Sequence, residues 1–188
     1  ARDLDRAIGP GEFAENLTVR GLDAGEVGLL DRIRVGSVEL EVTQIGKECH
    51  GDACAIFRET GMCVMPAEGI FTRVRQGGPV RAGDEARLER RLLRGLVLTL
   101  SDRASAGIYE DRSGPLLRGR LDRFLREHRY HSEVEGRLLS DDSGILRGAL
   151  AEARAAGTDL VFTTGGTGLG PRDHAPEVVT GFCDRMIP

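Results

Sequence analysis

The chain has 188 residues, which is enough for one or two domains with their own hydrophobic cores. Hydrophobic residues make up 40% and charged residues 30%, a balance that excludes disordered and fibrous proteins. The net charge of -4 argues against a general polyanion-binding surface, and the arginines of segment 87–94 are interpreted as solvated, so no nucleic-acid partner is expected. The apolar runs are only a few residues long, against the roughly 20 that cross a bilayer, so no membrane partner is expected either.

The first half of the chain, residues 1–91, shows the alternation of half-buried strands. Apolar and polar residues alternate over 38–42, and Gly36-Ser37 separates this run from an earlier short strand, as in a tight hairpin. Further strand and turn signals follow over 70–84. We therefore predict a β-rich domain of short antiparallel strands, arranged as a barrel or sandwich.

The second half, residues 92–188, changes to alternating strands and helices. The predicted elements are buried strands over 96–100 and 159–164, a weaker strand over 134–138, and helices capped or begun near Ser113, Asp142 and Ala175. The last helix is predicted to turn Met186 toward the core. This order predicts an α/β domain with a parallel sheet and right-handed crossovers, in which ligands bind beyond the carboxyl ends of the strands.

A segment rich in glycine and threonine, 163–173, leaves one of these strands and enters a helix. Its glycines allow close approach of the backbone, and its N–H groups and hydroxyls are donors that suit phosphate. The segment lacks both the Gly-Lys-Ser/Thr ending of a Walker loop and the dinucleotide-binding spacing. The alternative is a tight turn without a ligand. The residues predicted to contact a ligand in this segment are Thr164, Gly165, Gly166, Thr167 and Gly168.

Asp102, Asp141 and Asp173 each follow a predicted strand end, so a parallel sheet would bring them to one edge. Clustered carboxylates repel each other unless a cation or a base role compensates, and Mg²⁺ commonly joins one or two carboxylates to substrate phosphates. Arg103 and Arg172 flank this edge and could bind phosphate. The alternative is that Asp141 or Asp142 is a helix cap and Asp102 an ordinary loop residue.

These motifs resemble those of the molybdopterin adenylyltransferase (MogA/MoaB-like) family. The resemblance lies in Leu98 to Gly107, in Leu139-Ser140-Asp141-Asp142 and in Thr163 to Asp173 followed by Ala175-Pro176-Glu177, and it covers roughly 93–188. It implies a three-layer α/β fold and the transfer of AMP from Mg-ATP to the terminal phosphate of molybdopterin, with release of pyrophosphate. This chemistry needs positioning and charge neutralisation rather than a covalent nucleophile.

The resemblance also implies roles for single residues. Asp141 and Asp173 would be the acidic pair around the metal and the pterin, Gly165 to Gly168 would lie along the phosphates, and Ser101 to Arg103 would share their pocket. Mg²⁺, ATP and molybdopterin are expected, pyridoxal phosphate is not, and a cytoplasmic homotrimer is implied. The family domain continues past a helix like the last one predicted, so we expect the complete nucleotide pocket, and with it activity, to need residues outside this chain.

The first half resembles the later part of a MOSC domain, the β-rich module named for the C-terminal region of molybdenum cofactor sulfurases. The resemblance lies in segments 11–18, 21–23, 31–36 and 40–44, and the earlier part of the module is expected before Ala1. In that family a cysteine shortly after the Val-Thr-Gln strand is associated with sulfur or cofactor handling. Cys49 stands at the matching place.

Cys49, His50, Cys54 and Cys63 leave three hypotheses open. They could be ligands of zinc or a cluster, although their spacing is not that of paired Cys-x2-Cys motifs. Cys49 could instead carry sulfur as a thiolate or persulfide, favoured by a neighbour such as His50. The third hypothesis, small buried hydrophobic residues, is preferred for Cys54 and Cys183.

We therefore predict a protein of molybdenum cofactor biosynthesis whose second domain adenylylates molybdopterin. One alternative is a non-catalytic module or scaffold that binds molybdopterin or the cofactor. Another places the main activity in the MOSC domain, as a sulfur-transfer or reductase component.

Overall fold

The structure, a computed structural model, describes residues 9–48, 57–58 and 65–187. It consists of two compact units, Ala1–Arg91 and Leu92–Pro188. Within the described ranges, no helix is both long enough and apolar enough to cross a membrane.

Among its described residues, the first unit contains a four-stranded antiparallel sheet and a short helix before β3, and residues 57–58 are also helical. The strands are β1 (Arg32–Val35), β2 (Val38–Ile45), β3 (Ile70–Gln76) and β4 (Ala86–Glu89), in the order β3-β2-β1-β4, and helix α1 (Met65–Glu68) precedes β3. The predicted hairpin between β1 and β2 is confirmed, because Val35 pairs with Val38. Gly36 in its turn has a φ of 57°, a left-handed conformation that glycine adopts without strain.

The two faces of this sheet differ as the alternating pattern predicts. Arginines and glutamates of one face form ion pairs, such as Arg73 with Glu41 and Arg34 with Glu39. The other face forms the apolar core of the unit, made of Val27, Ile33, Val35, Val38, Leu40 and Val42. A closed barrel is not confirmed, since β3 and β4 are the two edges of an open sheet in the part of the unit that the structure describes.

The second unit is a parallel α/β domain, as predicted. Its elements in chain order are β5 (Leu92–Leu100), α2 (Asp102–Ser105), α3 (Ser113–Glu127), β6 (His131–Leu139), α4 (Ser143–Ala155), β7 (Leu160–Gly165) and α5 (Ala175–Phe182). The three strands are parallel in the order β6-β5-β7.

Strand β5 is central and buried on both faces, which explains its nearly uninterrupted apolar sequence. Leu96, Leu98 and Leu100 pack against buried residues of α4 and α5. On the opposite face, a Cβ added to Gly95 would lie 3.5 Å from the side chain of Leu121 in α3. Helices therefore cover both faces of the sheet.

Two predictions about helix ends need correction. Helix α4 is capped by Asp142, as expected, with the Ile145 N–H donating to its carboxylate at 2.9 Å. Helix α3, however, is not capped by Ser113, which is already helical; Asp111 accepts from the Gly114 N–H at 3.0 Å instead. The prediction that Met186 turns inward is wrong, because α5 ends at Phe182 and Met186 is 57% exposed.

The substitution Leu98→Ala tests the assignment of β5 as the centre of the second core. Leu98 is fully buried, so truncating it is expected to lower the free energy of unfolding by about 2–5 kcal/mol through lost contacts and a residual cavity. Denaturant unfolding followed by circular dichroism measures the change. The control is Leu116→Ala on α3, where the side chain is 57% exposed and the expected loss is about 0.5 kcal/mol or less. Equal losses in the two variants would contradict the assignment.

Candidate functional site

The carboxyl ends of β5, β6 and β7 lie side by side at one edge of the sheet. In the parallel register, Leu100 is opposite Leu139 on one side and opposite Gly165 on the other. The N–H of Ser101, the first residue after β5, donates to the Leu139 carbonyl at 2.9 Å. The segments that follow the three strands therefore begin at the same level.

Asp102 and Asp141 are joined by a reciprocal pair of hydrogen bonds across this edge. The Asp102 N–H donates to Asp141 Oδ2 at 2.8 Å, and the Asp141 N–H donates to Asp102 Oδ1 at 3.0 Å. Of the two aspartates named as possible helix caps, Asp142 caps α4 and Asp141 does not. The pair instead holds the turn after β5 against the turn after β6.

Arg172 reaches this pair from the glycine-rich segment. Its Nη1 lies 3.0 Å from Asp102 Oδ2, and its Nε donates to the Asp141 carbonyl at 3.3 Å. The guanidinium offsets part of the repulsion between the two carboxylates. Because Arg172 is 61% exposed, the ion pair contributes little to stability, and its main effect is to hold the segment near the aspartates.

The remaining oxygen of Asp141, Oδ1, is buried and has no hydrogen-bond partner. It lies next to the glycine-rich segment, since a Cβ added to Gly166 would be 3.4 Å from it. A buried carboxylate oxygen without a donor is costly, and a cation would relieve that cost. In the described residues, no three His, Cys, Asp or Glu side chains form a group able to hold a metal. The unpaired oxygen fits Mg²⁺ that takes one or two carboxylates and completes its shell with substrate phosphate.

The turn after β7 requires glycine at two consecutive positions. Gly165 and Gly166 have φ values of 86° and 59°, and a Cβ at Gly165 would overlap the Leu100 carbonyl. The Gly166 carbonyl accepts from the Ala175 N–H at 3.1 Å, which fixes the segment against the start of α5. The backbone of this turn is therefore held tightly against β5.

Asp173 lies within the same segment and packs against its glycines. Its Oδ2 accepts from the Gly170 N–H at 3.0 Å, and a Cβ at Gly168 would lie only 2.6 Å from that oxygen. The carboxylate thus occupies space that any larger residue at position 168 would need. Thr167, the other predicted donor of the segment, is exposed.

Ser101 and Arg103 contact a residue that the sequence patterns did not single out, Tyr109. The Ser101 and Tyr109 hydroxyls are 2.8 Å apart, and Ser101 Oγ also accepts from the Ala104 N–H at 3.2 Å as the cap of α2. The Arg103 guanidinium lies 5.1 Å from the centre of the Tyr109 ring. Tyr109 lies in a polar loop without periodicity, where only its position after a buried strand could have drawn attention to it.

A cavity of about 470 Å³ opens beside these residues. Of the predicted site residues, Ser101, Thr164 and Gly165 line it. Asp111, another residue that the sequence patterns did not single out, lines it as well.

The predicted cysteine cluster lies outside the described residues, namely Cys49, His50, Cys54 and Cys63. Cys183, for which burial was predicted, is exposed just past α5. The prediction for Cys183 is therefore wrong, because the residue follows the end of α5 in an extended conformation and is exposed.

The second unit thus belongs to the class of open parallel α/β domains, which bind their ligands at the carboxyl edge of the sheet, and it has paired aspartates and a glycine-rich turn at that edge. Comparison with known families specifies the class further. Residues 96–188 match the family described as "Probable molybdopterin binding domain", and residues 1–87 match the MOSC domain. The chain therefore carries a MOSC domain followed by a MogA/MoaB-like domain, which confirms both resemblances predicted from the sequence.

Curated relatives match the second half of the chain. The molybdopterin adenylyltransferase of Haemophilus influenzae is 38% identical over 93 residues, covering 49% of this chain and 46% of that protein. The molybdopterin adenylyltransferase of Pyrococcus furiosus is 39% identical over 91 residues, covering 48% of this chain and 50% of that protein. The molybdenum cofactor biosynthesis bifunctional protein of Synechococcus elongatus is 39% identical over 92 residues, covering 49% of this chain and 27% of that protein. This chain thus spans about half or less of the length of these relatives.

Among solved structures, the tungsten cofactor synthesizing protein MoaB from Pyrococcus furiosus is 33% identical. The superposition covers 51% of this chain and 56% of that chain with a TM-score of 0.43.

The substitution Gly165→Ala tests the fit of the turn after β7. An alanine at position 165 must adopt a left-handed backbone conformation, which costs roughly 1–2 kcal/mol. Its methyl group also overlaps the Leu100 carbonyl, which costs roughly 1–3 kcal/mol more. The matched control is Gly107→Ala, because Gly107 has a φ of 73° but open space around a Cβ. Denaturant unfolding should show a clearly larger loss for Gly165→Ala. If the two variants lose the same free energy of unfolding, close approach to Leu100 is not what requires glycine.

The lowered pKa of the Asp111 carboxyl group predicts that the stability of the fold depends on pH. Desolvation raises the pKa of its carboxyl group, but hydrogen bonds from the Gly114 N–H, the Thr99 hydroxyl and Ser113 outweigh this and hold the pKa below its usual value. The stabilisation is therefore present above the unfolded-state pKa and is lost as pH falls through the folded-state pKa.

The substitution Asp111→Asn replaces one of the two acceptor oxygens with an amide donor, so it is expected to lower the free energy of unfolding by about 1 kcal/mol at neutral pH, the scale of one lost hydrogen bond, and by less near pH 3. Denaturation midpoints at pH 7, 5 and 3 measure this. Asp122→Asn removes a partly exposed carboxylate that pairs with Arg126 one turn further along the same helix; because such helix-surface pairs contribute only about 0.3–0.5 kcal/mol, it should change the midpoints little at any pH. A pH-independent loss in Asp111→Asn would contradict the role of the carboxylate charge.

Proposed function

We propose that the protein transfers AMP from Mg-ATP to the terminal phosphate of molybdopterin and releases pyrophosphate. The match to the MogA/MoaB-like family supports a role of the second half in molybdenum cofactor biosynthesis, and its curated relatives are named molybdopterin adenylyltransferases. The observation that carries the proposal is the unpaired buried oxygen of Asp141 against Gly166, at the edge where the glycine-rich turn and the aspartates meet.

In the proposed reaction, an oxygen of the molybdopterin phosphate forms a bond to the α-phosphorus of ATP. The bond from that phosphorus to the oxygen leading to the β-phosphate breaks, and pyrophosphate leaves with the electron pair. Such a transfer depends on in-line positioning and on neutralising the charge of the phosphates. The site has the residues for both tasks without a covalent nucleophile.

The glycine-rich turn would bind phosphate. Gly165 to Gly168 bring the backbone close to the ligand, and the hydroxyls of Thr164 and Thr167 add donors. Arg103 and Arg172 supply positive charge near the same edge, although Arg172 is already paired with Asp102.

Asp141 and Asp173 would hold Mg²⁺, which when bound neutralises phosphate charge. Asp102 is a positioning residue in this proposal, because its backbone N–H and its carboxylate fix the turn that carries Asp141. Arg172 acts in the same way from the other side.

The first domain, residues 1–91, is proposed to handle the cofactor or its sulfur through Cys49. The match to the MOSC domain and the place of Cys49 after the Val-Thr-Gln strand support this role. The second domain, residues 92–188, carries the transfer chemistry. A cytoplasmic homotrimer remains part of the proposal on the resemblance alone.

The substitution Asp141→Asn tests the site. It keeps the size of the side chain but removes the charge that would bind Mg²⁺, so AMP transfer should fall at least about 100-fold, the scale of losing one electrostatic catalytic contact. Asp173→Asn should act in the same direction. The measurement, made on the full-length protein, is pyrophosphate released from Mg-ATP in the presence of molybdopterin.

Asp142→Asn is the matched control, because asparagine caps α4 about as well as aspartate and the neighbouring charge is lost without touching the site. Wild-type turnover in Asp141→Asn and Asp173→Asn would remove the site assignment. Stoichiometric molybdopterin binding without pyrophosphate release would instead identify a non-catalytic binding module.

A further inference from the structure

Four exposed arginines on helix α3 and at its N-terminal cap have side chains without an ion pair or a hydrogen bond to the rest of the described chain. We call them the α3 arginines: Arg112, Arg118, Arg120 and Arg123. The arginines of β1 and β3, by contrast, all pair with glutamates. Like charges three positions apart on a helix, such as Arg120 and Arg123, repel each other. The cluster therefore does not stabilise the helix that carries it.

Helix α3 begins at the cavity beside the glycine-rich turn. Arg112, its cap, and Ser113, its first residue, both line that cavity. At a rise of about 1.5 Å per residue, Arg118 and Arg123 lie about 9 and 16 Å from Arg112 along the helix axis. Because the Cα–Cβ bonds of a helix tilt toward its N-terminus, these side chains lean toward the cavity. The α3 arginines thus form a positively charged track that ends at the cavity.

The candidate site and the cavity themselves carry more negative than positive charge. Three arginines lie there, Arg103, Arg112 and Arg172, and Arg172 is already paired with Asp102. The carboxylates of the same edge and cavity are those of Asp102, Glu110, Asp111, Asp141, Asp142 and Asp173. A ligand with several phosphate charges is therefore repelled at close range unless nearby cations compensate.

A positive surface beside a binding site raises the local concentration of an anionic ligand and speeds its arrival. The positive end of the α3 macrodipole lies at the same end of the track. We propose that the α3 arginines guide phosphate-bearing substrates along the helix to the cavity, and that they act on the rate of association rather than on the bound state. The inference rests on the proposed function, in which both substrates, molybdopterin and ATP, carry negative phosphate charge.

The association rate of a fluorescent ATP analogue tests the inference. Binding of N-methylanthraniloyl-ATP with Mg²⁺ to the full-length protein is followed by stopped-flow fluorescence at about 10 mM and about 0.3 M salt. The variant Arg118→Gln/Arg120→Gln/Arg123→Gln is expected to associate about tenfold more slowly at the lower salt, the scale of three screened Coulomb interactions with a doubly charged ligand. At the higher salt the difference should fall below about twofold, because the screening length is then shorter than the distances along the helix.

Two sets of control variants separate charge from contact and from position. Arg118→Lys/Arg120→Lys/Arg123→Lys keeps the three charges and should associate within about twofold of the parent protein. Arg118→Gln alone should slow association about threefold. Arg126→Gln removes a charge from the same helix about 21 Å from Arg112 and should slow association less than about 1.5-fold.

Three further readouts should stay unchanged in the triple glutamine variant. The dissociation rate and the turnover at saturating Mg-ATP should equal those of the parent, since Arg118, Arg120 and Arg123 do not line the cavity. N-methylanthraniloyl-adenosine, which has no phosphate, should associate equally fast with both proteins. A change confined to the association rate of the charged analogue is the signature of electrostatic guidance.

Equal association rates of the parent and the triple glutamine variant at low salt would overturn the inference. A loss that the lysine variant shares, or that persists at high salt, would overturn it as well. Failure of the proposed function looks different: the analogue would still associate at a rate that depends on the α3 arginines, but no pyrophosphate would be released from Mg-ATP with molybdopterin. If the parent protein does not bind the analogue, the proposed function and the inference fail together.

Discussion

The reciprocal hydrogen bonds between Asp102 and Asp141 are the interaction on which the site depends. They can form because β5 and β6 pair in parallel with Leu100 opposite Leu139, so that the two following turns start at the same level. Each carboxylate uses one oxygen to accept the N–H of the other residue. The second oxygen of Asp102 pairs with Arg172, whereas that of Asp141 is left buried without a donor.

Two different surfaces lie next to each other at this edge of the sheet, the glycine-rich turn and the cavity lined by Tyr109. The glycine-rich turn brings bare backbone and hydroxyls together, which favours phosphate. The cavity next to it has Tyr109, Glu110 and Asp111 in its lining. Thr164 and Gly165 belong to both the turn and the cavity. The tight packing of Gly165 on Leu100 keeps this border fixed.

The success of each strand prediction follows from where the strand lies in its sheet. Strand β5 is buried on both faces and has an apolar sequence that allows little else. Strand β6 gave a weak signal because it is an edge strand with mostly exposed residues, and its nine residues are held by pairing with β5. Met186 was misplaced because helical spacing does not reveal that α5 stops at Phe182. The barrel expected for the first domain is, over the described residues, an open sheet.

The sequence alone determined the order of the main elements, the two family resemblances, the need for glycine after β7 and the places of Asp102 and Asp141 just after strands. These are local features, since periodicity, turn residues and motifs are read within a few positions. Asp173, also expected beside a strand end, lies farther along the segment between β7 and α5. Only the tertiary structure shows that Asp142 caps α4, that Asp141 pairs with the distant Asp102, and that Tyr109 and Asp111 line a cavity. Asp102 and Asp141 are 39 positions apart, so their contact depends on strand register, which no local pattern encodes.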